Sequence, residues 1–160
     1  MRRIVAAAAA LSVACTLAGC SHDRSTDPVT VASGATWSLV TFHNADGALC
    51  LEIRDAAGRA GDDFGGGCGG WSSPDAAHAG DAYIDGPGPG DGEFAFGPLG
   101  SAVTTVEATA PGREPLVAPA RPLPAGAGAA KFFVLPLPDA ATVWTYTATN
   151  AAGAPEPLGL

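Results

Sequence analysis

Two runs of strict alternation, joined by a four-residue turn, constrain the fold of this chain more than any other feature. Trp37, Leu39 and Thr41 alternate with Ser38, Val40 and Phe42, and Leu49, Leu51 and Ile53 alternate with Cys50, Glu52 and Arg54. Successive side chains of a strand point to opposite faces, so a period of two marks a strand with one face against a core. Asn44, Ala45, Asp46 and Gly47 lie between the runs. Glycine takes positive φ without penalty, as the bulged end of such a turn requires, so residues 37–54 read as a β-hairpin. A second turn of the same kind, Asp55, Ala56, Ala57 and Gly58, ends the second strand.

The same grammar recurs further along. Strands are expected near residues 81–84, 94–97, 102–109, 115–118, 131–137 and 142–149, with glycine, proline and asparagine between them. Phe132, Phe133, Val134 and Leu135 form an unbroken apolar run, as in a strand covered on both faces. Trp144, Tyr146 and Ala148 fall on one face of the last strand, and Val143, Thr145 and Thr147 on the other. Pro136 and Pro138 place their strand near an edge or an early end, because proline cannot donate to a ladder. A weak echo links residues 103–109 and 114–116 to residues 143–149 and 156–158; duplication and similar turn chemistry both account for it. No helical period appears after the N-terminal run. The expectation is an all-β domain, an antiparallel β-sandwich loosely similar to an immunoglobulin domain. The tryptophan that lies between paired cysteines in that family is missing: Trp37 precedes Cys50 and Cys68, and Trp71 follows them.

The N-terminus carries a different signal. Arg2 and Arg3 precede fifteen uncharged residues, 4–18, interrupted only by Ser12 and Thr16. A basic start followed by a short apolar run is the pattern of an export signal, and the run is shorter than the roughly 20 apolar residues of a spanning helix. It ends in Leu17, Ala18, Gly19 and Cys20. This resembles the lipobox of bacterial lipoproteins: leucine, a small residue, glycine or alanine, then cysteine. The resemblance covers only the first twenty residues and implies that Cys20 is acylated with a diacylglyceryl group and becomes the first residue after cleavage. Each buried methylene of such chains contributes about 0.8 kcal/mol, so two chains anchor durably. The chain then divides into a signal peptide (1–19), a lipidated tether (20–34, polar and without apolar period) and the β domain (35–160). The expected location is the extracytoplasmic face of the cell membrane.

Charge excludes some partners. The chain carries eight basic and sixteen acidic residues; removal of Arg2 and Arg3 with the signal leaves six against sixteen, formally −10. Nucleic acid needs a basic footprint and finds none. Adhesion to anionic lipid is equally disfavoured, which leaves membrane attachment to the acyl chains.

Cys50 and Cys68 are the only cysteines after Cys20. In an oxidising compartment they are expected to form a disulfide that pins the glycine-rich segment against the outward face of the second strand. No histidine sits at ligand spacing from either one, so a metal pair is not expected. Ser72, Ser73, His43, His78, Asp75 and Asp81 are the materials available for hydrolysis, but the serines lack the Gly-x-Ser-x-Gly elbow. The acidic stretches at Asp62, Asp63 and residues 85–93 do not match a calcium loop and read as solvated. No cofactor is implied. What remains is a non-enzymatic envelope lipoprotein whose loops meet a protein or glycan partner, with Trp71 and Tyr83 as the candidate surface. The alternative is a lipid-anchored hydrolase or transport accessory.

Overall fold

The computed structural model describes residues 26–69, 84–127 and 129–158. These form twelve strands: β1 (Val29–Ser33), β2 (Trp37–His43), β3 (Leu49–Asp55), β4 (Gly66–Cys68), β5 (Ile84–Pro87), β6 (Glu93–Leu99), β7 (Val103–Thr109), β8 (Leu116–Pro119), β9 (Arg121–Pro122), β10 (Lys131–Leu137), β11 (Thr145–Asn150) and β12 (Pro155–Pro157). Every strand pair is antiparallel. There is no α-helix among the described residues. The all-β expectation holds.

The strands assemble into three sheets with orders β1-β2-β3-β4, β5-β6-β10-β9 and β12-β11-β7-β8. The middle sheet is apolar on both faces. Phe94, Phe96 and Phe132 join Leu39, Leu49, Leu51 and Ile53 of the first sheet in one core. Ala95, Leu99, Phe133, Leu135 and Leu137, offset by one residue, join Val103, Val106, Ala108, Trp144, Tyr146 and Ala148 of the third sheet in another. The sandwich therefore has three layers, one more than an immunoglobulin domain. The cause is the run at residues 132–135, which has no polar face to turn to water. Phe96, Phe132 and Phe133 are at most 1% exposed, each contributing about 2–3 kcal/mol by burial.

Proline marks where the middle sheet loses its outer neighbours. β9 pairs only with Lys131 and Phe132, and β5 pairs with β6 only over residues 93–96. Pro136 and Pro98 both lie beyond those contacts, where no flanking strand asks for their missing N–H.

Two corrections concern boundaries. β1 lies within residues 20–34, expected to be a tether, and its partners in β2 include Thr41 and Ser38. The β structure thus reaches back at least to Val29, ahead of Ala35. The strand was hidden because only Ala32 of its five residues is buried; an edge strand needs little apolar content. The strand expected at residues 142–149 is β11, which starts at Thr145, three residues later than expected, although Trp144, Tyr146 and Ala148 are buried and Val143 is 85% exposed, as the alternation required.

Glycine sets the approach of the first two sheets. Gly65 accepts from the Ile53 N–H (2.9 Å) and donates to the Pro87 carbonyl (2.7 Å). A Cβ on Gly86 would stand 3.2 Å from the Gly65 Cα, and one on Gly88 would overlap the Phe94 ring. Phe94 in turn packs edge-on against Trp37, with ring centroids 5.3 Å apart.

The same turn appears three times. Asn44 Oδ1 accepts from the N–H groups of Asp46 and Ala48, Asp55 Oδ1 from Ala57 and Arg59, and Asn150 Oδ1 from Ala152 and Ala154. Each closes on a glycine, Gly47, Gly58 or Gly153, at φ 78°, which any side chain would strain. The echo between the chain's two later hairpins has a structural counterpart: β7–β8 and β11–β12 lie in one sheet, with β7 and β11 paired at its centre.

Of the three turn acceptors only Asp55 is charged. The backbone N–H of Arg59 and then its side chain hold the Asp55 carboxyl below its ordinary value of 3.8. A carboxylate with a depressed folded pKa contributes stability above its unfolded pKa, and that contribution is lost as pH falls through the folded value. Asp55→Asn keeps the acceptor that Asn44 and Asn150 use, so the turn should persist, with little change at neutral pH because the ion-pair partner Arg59 is exposed. Between about pH 4 and 2 its unfolding free energy should fall less steeply than that of the unaltered chain. Urea titrations across that range check this; identical slopes refute it.

Candidate functional site

The disulfide is present. Cys50 and Cys68 are cross-strand partners of β3 and β4, with Cα atoms 4.0 Å apart and 18 residues of separation. A loop of this size stabilises by about 3 kcal/mol in the chain-entropy picture. Cys50 faces away from both main cores, as expected, but it is not on an open surface. It is 1% exposed and packs with Val40, Phe42 and Cys68 in a small third cluster. Beside it on the outward face, Arg54 is also buried, its Nε on Glu52 Oε1 (3.0 Å) and its Nη1 on the Gly58 carbonyl (3.3 Å).

Cys20, Trp71 and Tyr83 lie outside the described residues, as do Ser72, Ser73, Asp75, His78 and Asp81. His43 ends β2 beside the Asn44 turn and is half-buried. Asp62 and Asp63 are exposed. Among the described residues no three His, Cys, Asp or Glu side chains stand close enough to hold a metal ion together.

His43 belongs to a site that the alternation alone does not reveal. A half-open cavity of about 280 Å3 is lined by Thr26, Asp27, Val29, Thr41, Phe42, His43 and residues 124–127. Three elements build it. The start of β1 supplies one wall, held to the end of β2 where the His43 N–H donates to Thr26 Oγ1 (2.8 Å). The register pairs Val29 with Thr41; carried back two residues, it sets Asp27 opposite His43. The turn between β9 and β10 supplies the other wall, closed by the Ala127 N–H on the Pro124 carbonyl (3.1 Å) and by Gly126 at φ 84°.

Rim and floor differ in character. Thr26, Asp27, Val29 and residues 124–126 are exposed, whereas Thr41 and Ala127 are buried. Thr41 faces the inner side of the first sheet, across from Leu51, and is 4% exposed. Its Oγ1 is fully buried and has no hydrogen-bond partner among the described residues. An unmade hydrogen bond of this kind costs about 1–3 kcal/mol. Two other atoms share that condition, Arg54 Nη2 and Trp144 Nε1, but neither residue lines this cavity. A readable signal did exist for Thr41: it is the one polar residue in the inward series Trp37, Leu39, Thr41. No signal existed for Thr26 and Asp27, which sit in sequence that resembles a linker.

Comparison with protein-family models, with curated proteins and with solved structures returned no match.

The floor of the cavity has a measurable cost. Thr41→Val keeps the β-branched shape and removes the unsatisfied hydroxyl, so the variant should gain about 1 kcal/mol in unfolding free energy without bound ligand. Chemical denaturation at neutral pH checks this. A loss of comparable size would mean that the hydroxyl is satisfied in solution.

Proposed function

We propose that this chain is a lipid-anchored protein of the cell envelope, held on the extracytoplasmic side by Cys20, whose β domain acts by binding rather than by turnover. The observation that carries the binding half is the cavity beside His43. It brings the exposed Asp27 and the half-buried His43 together with an apolar wall of Val29, Pro124 and Ala127, the composition of a small-ligand site. Its hydroxyls do not favour covalent catalysis: Thr26 Oγ1 already accepts from the His43 backbone, and Thr41 Oγ1 is sealed beneath the surface. The anchor half rests on Leu17, Ala18, Gly19 and Cys20.

The presence of β1 ahead of Ala35 changes what the anchor would do. Six steps of chain separate Cys20 from Thr26, which span at most about 21 Å. The domain would therefore ride close to the headgroups, with the cavity rim, which includes Thr26 and Asp27, on the tethered side. The partner proposed earlier for Trp71 and Tyr83, an envelope protein or a glycan, remains compatible with this placement.

Cys20→Ser should abolish metabolic fatty-acid labelling and move the protein out of the membrane fraction. Retained label after this change disproves the anchor. The binding half predicts no turnover of ester, peptide or glycoside substrates by the purified protein; activity that disappears in His43→Ala would establish the hydrolase reading in its place.

A further inference from the structure

No further inference is drawn: the strongest candidate, the outer face of the third sheet, where the exposed Val117 flanks rows of threonine on β7 and β11, is an unpartnered sheet face and nothing in the structure shows what covers it.

Discussion

The pairing of β6 with β10 is the contact on which the other layers depend. Seven cross-strand pairs, from Lys131 with Leu99 to Leu137 with Glu93, hold the two strands together. Both strands are apolar on alternate residues in both directions, so neither face of the pair tolerates water. Two separate sheets must cover it, and each does so with the apolar half of its own alternation. The first sheet offers Leu39, Leu51 and Ile53; the third offers Val106, Ala108 and Tyr146. The described residues thereby build two cores without an α-helix. Lys131, at one end of β10, ties the middle sheet to the third by donating from Nζ to the Val103 carbonyl (2.7 Å).

Three layers require the chain to cross between them, and the crossings explain its most irregular sequence. Between the first and middle sheets the link is Gly65 against Gly86, where two backbones meet without side chains between them. Between the third and middle sheets the link is residues 116–122. β8 pairs with β7, Ala120 donates to the Thr104 carbonyl (2.8 Å), and β9 then pairs with β10. One nearly continuous extended segment therefore serves two sheets, as corner strands do in packed β structures. Pro119 and Pro122 fit here because each lies at the end of a short pairing.

Legibility in the sequence followed burial. The β2–β3 hairpin was plain because its inward series is apolar but for Thr41 and its turn has the Asn/Asp-x-x-Gly chemistry that the structure uses three times. Residues 132–135 announced a doubly covered strand, but not that its sheet would be the middle one of three. The Cys50–Cys68 bridge followed from compartment and count. β1 was not legible: Val29 is about half exposed, Thr30 and Ser33 are exposed, and pairing to β2 is a tertiary fact that local composition does not record. The cavity was lost with it, since Thr26 and Asp27 become site residues only once that strand is paired. Thr41 was visible as a polar residue in an apolar series, but its significance depends on what stands opposite, which no periodicity reports.

Glycine-rich stretches on a rigid scaffold are where a binding surface is ordinarily sought, and in this chain the described parts of them do something else. Gly65, Gly86 and Gly88 are buried where the first two sheets meet; a Cβ on Gly86 would crowd the Gly65 backbone, and one on Gly88 would overlap the Phe94 ring. Such segments have little freedom to accommodate a ligand. The 124–127 turn differs. A Cβ on Gly126 would meet nothing within 4 Å, so that residue is fixed by its φ alone and the turn projects past the core. It lies across from residues 26–29 and, with them, lines the open cavity. Among the described residues, where other glycine-rich segments are consumed by close packing between layers, this open space lies at the margin of a core, where Ala127 and Thr41 close one end of the packing and residues 26–29 supply the rim.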